Sequence, residues 1–126
     1  MSKGKQRAQA RKAALLSLGR QLARRASSQC ELCGTASGCS PTEITPLPEE
    51  PLLSRSLLLC PACVELCTKP ASKIQLSQVR FLAEKIWSEV VPVQVTAIRI
   101  AQKLPSYQQA LEELYLSEEV EQLLAE

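Results

Sequence analysis

Residues 30–67 read CELCGTASGCSPTEITPLPEEPLLSRSLLLCPACVELC and contain all six cysteines of the 126-residue chain. Four of these cysteines form two Cys-x-x-Cys pairs, Cys30 with Cys33 and Cys60 with Cys63. In such a knuckle both sulfurs can point at one ion, and two knuckles complete a closed tetrahedral shell of four thiolates. The spacing therefore predicts a structural Zn²⁺ site with these four ligands.

The residue after the first knuckle is Gly34, where a tight turn commonly needs a positive φ that glycine adopts without strain. Two other interpretations of the cysteines stay open. They can be small apolar side chains of a buried core, or residues 60–63, CPAC, can be a redox motif. A thioredoxin-like site has a single pair within a βαβ frame. This chain has two pairs and no such frame, so the pattern favours metal.

The remaining cysteines, Cys39 and Cys67, have no knuckle spacing. Cys67 lies four residues after Cys63, so a helix that begins at the second knuckle would place both thiols on one side. Cys67, together with Cys39, would then compete as a ligand. Since a closed site needs only four ligands, we expect both thiols to pack near the shell without binding the metal.

The first 25 residues, MSKGKQRAQARKAALLSLGRQLARR, have no secretory pattern, because the short apolar stretch AALLSLG is followed by more arginine and no small-residue cleavage site. No segment approaches the roughly 18 consecutive apolar residues that a membrane span requires. We therefore expect a cytoplasmic protein that does not insert into membranes. Thiols stay reduced in that compartment, which again favours metal over disulfides.

The chain contains no histidine, aspartate or asparagine, and only four aromatic residues. Most residue types used as general bases or as non-thiolate metal ligands are therefore missing, and the sequence predicts no catalytic residues and no enzyme activity. A closed Cys₄ site has no open position to activate water. Its expected role is folding, since structural zinc supplies on the order of 10 kcal/mol to a core this small.

The charge distribution is asymmetric, because eight of the fifteen basic residues precede the first glutamate, Glu31. The first part of the chain carries +8, and the rest carries −6 from seven basic residues and thirteen glutamates. A helix with positive charges alone is typical of salt-dependent contact with phosphates. The alternatives are an arm that is simply solvated and an arm that docks on the acidic rest of the same chain. The predicted nucleic-acid contacts are Lys3, Lys5, Arg7, Arg11, Lys12, Arg20, Arg24 and Arg25.

The pattern predicts an α-rich, metal-stabilised fold in three parts. Residues 1–26 form a basic amphipathic helical arm. Residues 27–70 form a zinc-ribbon or treble-clef-like cysteine module with short β pieces at EIT (43–45) and SLLLC (56–60). Residues 71–126 form a helical region packed on the module.

Three helices are expected in that last region. The first opens at Ser77 as N-cap, carries an apolar stripe that includes Trp87, and ends before Pro92. The second starts at Pro92 and runs to Leu104. The third opens with the capping box Ser106-x-x-Gln109 and has a break at Ser117.

Five segments together resemble proteobacterial PhnA-type proteins with an N-terminal zinc-ribbon domain. The segments are RRASSQCELCG (24–34), EITPLPEEP (43–51), LLLCPAC (57–63), IWSEVVPVQVTAIRIAQ (86–102) and ALEELYLSEEVEQ (110–122). The resemblance covers nearly the whole chain and implies zinc binding by the four knuckle cysteines. The family is named after a phosphonate-utilisation operon, but the resemblance implies no catalytic role in phosphonate breakdown.

A more distant likeness connects the cysteine module to HNH nucleases, in which a treble-clef knuckle flanks a catalytic Asp-His-Ile-x-Pro stretch. The matching residues 42–46 read TEITP, so Glu43 stands at the base position and Thr42 at the acidic metal-holding position. Val64, after the second knuckle, replaces the Asn or His that is frequent there. The frame thus lacks its catalytic residues, and we expect no nuclease activity.

The sequence is compatible with three functions. The first is a nucleic-acid-associated zinc protein that binds through the basic arm. The second is an accessory module whose C-terminal helices present an apolar groove to a protein partner or to a second copy in a homodimer. The third is an enzyme of phosphonate or other phosphorus metabolism, which only the operon name suggests.

Overall fold

The computed structural model describes residues 3–126, so Met1 and Ser2, the first two residues of the predicted arm, lie outside the described part. Within it, nine elements follow one another along the chain, joined by loops and four short 3-10 turns. They are α1 (Lys3–Ser17), α2 (Gly19–Ala26), β1 (Ser40–Glu43), β2 (Ser56–Leu59), α3 (Pro61–Thr68), α4 (Leu82–Lys85), α5 (Val91–Ala101), α6 (Gln108–Glu112) and α7 (Glu118–Ala125).

The basic arm is two helices rather than the single predicted one. The break lies at Leu18, whose N–H bonds the carbonyl of Leu15 at 3.1 Å in a tighter i to i−3 turn, immediately before the poor helix former Gly19. α1 contains no buried residue, whereas Leu22 of α2 is fully buried. Only the second helix of the arm therefore contributes to the core.

The cysteine module contains an antiparallel hairpin of β1 and β2, in which Ser40 pairs with Leu59 and Glu43 with Ser56. β2 lies within the predicted strand SLLLC, and all four of its residues are buried. The prediction for the first strand was wrong, since β1 shares only Glu43 with EIT. One further bond runs from the Ile44 N–H to the Arg55 carbonyl, after which Pro46 has no N–H to continue the ladder.

The region before α5 is much less helical than predicted. The expected helix from Ser77 is replaced by a 3-10 turn, Leu76–Gln78, and the four-residue α4. The turn is closed by a capping box between Gln75 and Gln78, so Ser77 is not the N-cap. Trp87 is 53% exposed and lies outside the core, contrary to the predicted apolar stripe.

The centre of the core is α5, which begins at Val91 with Pro92 in its first turn, as predicted, but ends at Ala101, before Leu104. A helix that is apolar nearly all round has to be covered on all sides. α5 packs against β2, α3, α4, α6 and α7. Its buried residues are Pro92, Val93, Val95, Thr96, Ala97, Ile98, Ile100 and Ala101.

The C-terminal segment begins with a 3-10 turn, Pro105–Tyr107, that leads into α6. The predicted capping box at Ser106 is therefore wrong, because that residue lies inside the turn. The predicted break at Ser117 is confirmed. There the Ser117 hydroxyl accepts a 3.2 Å hydrogen bond from the Val120 N–H and caps α7.

One apolar cluster joins three of the knuckle cysteines, Cys30, Cys60 and Cys63, to the hairpin and the C-terminal helices. The α-rich fold with a short two-stranded sheet and a four-cysteine cluster is thus confirmed for residues 3–126. The boundaries at 26 and 70 remain predictions. Within the described residues, every helix is too short or too polar to cross a bilayer.

The two serines permit a matched test of helix capping. We expect Ser117→Ala to lower the free energy of unfolding by about 1 kcal/mol, because it leaves an N-terminal N–H of α7 without its acceptor. Ser106→Ala should change it by less than about 0.5 kcal/mol. Urea unfolding followed by circular dichroism measures both, and equal losses would contradict the capping assignment.

Candidate metal centre

The structure brings the sulfurs of Cys30, Cys33, Cys60 and Cys63 together, with all four within 4.8 Å of one another. The Cys33 and Cys60 sulfurs are 3.6 Å apart. In a tetrahedron with a metal–sulfur distance of about 2.3 Å the sulfurs are about 3.8 Å apart. The cluster therefore has the dimensions of a four-thiolate site, and this donor set is compatible with zinc.

The first knuckle is a turn between α2 and β1. The Cys30 carbonyl accepts a 2.9 Å bond from the Gly34 N–H, and the Cys30 N–H donates to the Thr35 carbonyl at 2.7 Å. Gly34 has the predicted positive φ, +84°. A Cβ at this glycine would meet no atom within 4 Å, so the requirement for glycine is conformational rather than steric.

The second knuckle is the start of α3. Cys60 is the N-cap residue in extended conformation, Pro61 occupies the first turn, and the Cys60 carbonyl accepts from the Val64 N–H at 3.0 Å. Cys63 is thereby held one turn along the helix, facing the first knuckle, and is buried. The candidate metal site thus lies where the chain passes from β2 into α3.

The thiols of the cluster shift one another's pKa values. A hydrogen bond from Cys63 lowers the pKa of Cys30, and the same bond raises the pKa of Cys63 above its ordinary value. Cys30, Cys60 and Cys63 are buried, whereas Cys33 is exposed. A divalent metal ion at this site would bind the deprotonated sulfurs. Its binding would therefore release the thiol protons and stabilise the folded chain.

The other two thiols do not join this cluster. The Cys39 thiol donates to the Thr35 carbonyl at 3.3 Å, and the Cys67 thiol donates back to the Cys63 carbonyl at 3.3 Å. All six cysteines are free of disulfides. The expectation that these two lie near the shell without entering it agrees with this geometry.

The residue between the ligands of the first knuckle, Glu31, ties the knuckle to the hairpin. Its carboxylate accepts two bonds from Arg25, at 2.7 and 2.8 Å, and one from the Leu58 N–H at 2.8 Å. The Glu31 side chain is only 6% exposed. Arg25 also donates to the Ser56 carbonyl at 2.8 Å. This network fixes α2, the knuckle and β2 to one another.

A second arginine of the arm, Arg11, holds α1 against the hairpin. It forms a bidentate pair with Glu43, at 2.6 and 2.8 Å, and donates to the Pro48 and Glu49 carbonyls. The hydrogen bond to Glu43, together with the negative charge of that carboxylate, raises the pKa of Arg11 above its ordinary value. Arg11 and Arg25 therefore have ion-pair partners within the protein itself. Their contact with nucleic acid stays a prediction.

The six other predicted contact residues are exposed on the arm. They are Lys3, Lys5, Arg7, Lys12, Arg20 and Arg24. Arg20 and Arg24 lie four residues apart on α2, so their side chains share one face of that helix. Two arginines of the arm thus form ion pairs with the cysteine module, and the other six basic residues are exposed to solvent.

The positions of the nuclease-like frame lie around one cavity, which Thr42, Glu43 and Val64 line in part. The Glu43 carboxylate, at the base position, is 10% exposed and paired with Arg11. Its side chain is therefore used to hold α1 in place.

The roles of two residues, Glu31 and Lys103, are not among the predictions from the sequence. For Glu31 a signal exists, because it lies between two ligands and six residues after Arg25. For Lys103 the sequence offers no signal, because its partners lie 34 residues or more away along the chain. Its Nζ donates to the Leu66 and Lys69 carbonyls at 2.9 and 2.8 Å and so caps the end of α3. Burial there lowers the pKa of Lys103.

Comparison with known proteins found no matching family model, no matching curated protein and no matching solved structure.

The metal centre is tested by serine variants of neighbouring cysteines. We expect about one zinc ion per chain by elemental analysis. Cys63→Ser should abolish stoichiometric metal and cooperative folding, because three thiolates no longer close the shell. Cys67→Ser, one helical turn away, should keep both. A chelated wild-type chain that retained its full helical circular dichroism and its melting transition would refute a structural role.

The buried ion pair gives a second test. Arg25→Gln leaves the Glu31 carboxylate buried without its charge partner, so we expect a loss of about 3 kcal/mol in the free energy of unfolding. Arg24→Gln removes an exposed charge from the adjacent position and should cost less than about 0.5 kcal/mol. Chemical denaturation of the metal-loaded variants distinguishes these outcomes, and similar stabilities for the two variants would contradict the assigned role.

Proposed function

We propose that the chain is a zinc-binding accessory protein in which a closed Cys₄ site holds a basic two-helix arm in position to bind nucleic acid. The observation that carries this proposal is the division of the arm's charges. Arg11 and Arg25 bind the cysteine module through bidentate ion pairs, while Arg20, Arg24 and Lys12 are among the residues that remain exposed.

Zinc is the metal that suits this site best. Four thiolates are soft ligands, their separations fit a tetrahedron, and knuckles of this type form closed structural zinc sites. The site lies within the apolar cluster, where it joins two segments of a chain with few large aromatic core residues. We propose that metal binding at this site contributes to the folding free energy of the cysteine module.

The exposed face of the arm suits phosphates rather than bases. Its side chains are lysine and arginine, and α1 and α2 contain no acidic residue and no aromatic residue to stack on a base. The proposed binding is therefore sequence-tolerant and strongly salt-dependent.

The proposed role is non-catalytic. A shell of four thiolates leaves no coordination position for water, and the carboxylate at the nuclease-like base position is paired with Arg11. The resemblance to PhnA-type proteins agrees with this proposal, since what it implies is zinc binding by the same four cysteines. A catalytic role in phosphorus metabolism has no support in the arrangement of the described residues.

A second candidate function is protein binding through the C-terminal region, either to a partner or to a second copy. Two exposed aromatic side chains favour it, Trp87 at 53% exposure and Tyr115 at 97%. Trp and Tyr are over-represented among residues that dominate interface energies. A Trp87→Ala, Tyr115→Ala double variant that lost self-association in light scattering, or lost a co-purifying protein, would support this function.

The nucleic-acid proposal is tested by the salt dependence of binding to random-sequence duplex DNA and single-stranded RNA. The slope of log K against log salt is negative, and each lost phosphate contact on duplex DNA reduces its magnitude by about 0.9. The double variant Arg20→Gln, Arg24→Gln should therefore make the slope shallower by about 2 and weaken binding uniformly across sequences.

The control removes two exposed charges outside the arm, Lys73→Gln with Arg80→Gln, and so has the same net charge as the test variant. Its slope should stay within about 0.5 of the wild-type value. Equal effects of the two double variants would show non-specific charge attraction and overturn the assignment to the arm. No binding of the wild-type chain at low salt would reject the nucleic-acid function altogether.

A further inference from the structure

A cavity of about 340 Å³ lies between the hairpin, α3 and α5, on elements separate from the basic arm. This volume is at the lower end of the range for small-molecule sites. Most of the wall is aliphatic, and among the described residues no aromatic side chain lines it. The aliphatic side chains are Ile44, Leu57, Leu59, Val64 and Ile100.

One cation, Arg99 on α5, lines this cavity. Arg99 has no carboxylate partner among residues 3–126. Its guanidinium donates to the Leu123 carbonyl at 2.9 Å and, at 3.4 Å, to the Thr45 hydroxyl. The other three of its five N–H donors have no hydrogen-bond partner among residues 3–126.

The desolvation of this cation is uncompensated. Burial lowers the pKa of Arg99, with no opposing effect from a nearby acid. A half-buried guanidinium beside an aliphatic wall gains most from an anion that also covers that wall. The cavity therefore favours a ligand that combines negative charge with an apolar body.

The other charged residue of the cavity does not oppose such a ligand. Glu43 also lines the cavity, but its carboxylate accepts hydrogen bonds from Nε and Nη2 of Arg11. Its negative charge is therefore neutralised locally, and Arg99 provides the uncompensated charge at this site. The hydroxyls of Thr42 and Thr68 are further polar groups in the wall.

We propose that this cavity binds a small organic anion whose carboxylate or phosphate head pairs with Arg99 and whose aliphatic body lies against Ile44, Leu59 and Ile100. An aliphatic body of about six to ten carbon atoms suits a cavity of this size. The proposal is independent of nucleic-acid binding, because none of the exposed basic residues of the arm lines the cavity.

The test uses the full-length, zinc-loaded chain and three probes with the same eight-carbon tail, namely octanoate, octyl phosphate and uncharged octanol. Titrations are followed by amide chemical shifts in two-dimensional NMR. We expect saturable shifts at Leu57, Val64 and Ile100 with one or both anions, and at least about tenfold weaker binding of octanol, which cannot pair with the guanidinium. The relative affinities of the two anions identify the preferred head group.

Arg99→Gln should weaken anion binding at least about tenfold, whereas Arg80→Gln, which removes an exposed arginine outside the cavity, should leave it unchanged. Since Arg99 also bonds Leu123, a second variant separates binding from folding. Val64→Trp adds bulk at a residue that is 40% exposed, so the chain should fold and lose binding.

Three results would overturn the proposal. The first is equal affinity for octanol and the two anions, and the second is an equal effect of the two arginine variants. The third is a set of shifts spread over exposed apolar residues such as Leu16 and Leu76, which indicates non-specific partition. Failure of this site would leave the salt-dependence experiment on the arm unaffected.

Discussion

The rest of this structure depends on one constraint, which is that four cysteine sulfurs lie close together. The two knuckles are separated by 26 residues, and that intervening segment contains only eight residues of strand. An isolated two-stranded hairpin is marginal in water. A metal ion bound by Cys30, Cys33, Cys60 and Cys63 would close this segment into a loop, fix the register of the hairpin and set the start of α3.

The arginine–glutamate pairs extend this order to the arm. Arg25 reaches the glutamate inside the first knuckle, and Arg11 reaches the glutamate at the end of β1. Both pairs are bidentate, and both carboxylates are largely buried, so each pair specifies one arrangement of helix and hairpin. Opposite charges within one chain thus determine the position of α1, which has no buried residue to fix it by packing.

Local signals in the sequence predicted the features that depend on a few neighbouring residues. The knuckle spacing, the positive φ of Gly34, the first-turn position of Pro92 and the break at Ser117 each follow from chemistry within four residues. The four sulfurs of the predicted metal ligands accordingly lie together in the structure. The overall α-rich class followed from the helical period of the apolar residues.

Two other features were not predictable in the same way, namely the outcome of competing local signals and contacts with distant partners. The turn that Pro105 begins replaces the capping box predicted at Ser106. The apolar period around Trp87 gives way to a 3-10 turn and the short α4, with Val79 and Ile86 buried and the indole exposed. The inward direction of Arg11 depends on a glutamate 32 residues away. A count of charges on a helix cannot show which of them the protein itself uses.

The rigid attachment of α1 has a thermodynamic consequence for any partner of the arm. A helix of 15 residues is about 22 Å long, which corresponds to about six base-pair steps of duplex DNA. A disordered basic tail would lose much of its backbone freedom on binding, at a cost of about 1 kcal/mol or more per residue. Here that ordering has already taken place during folding, so α1 would meet a partner as a preformed positive rod whose charges keep a fixed spacing.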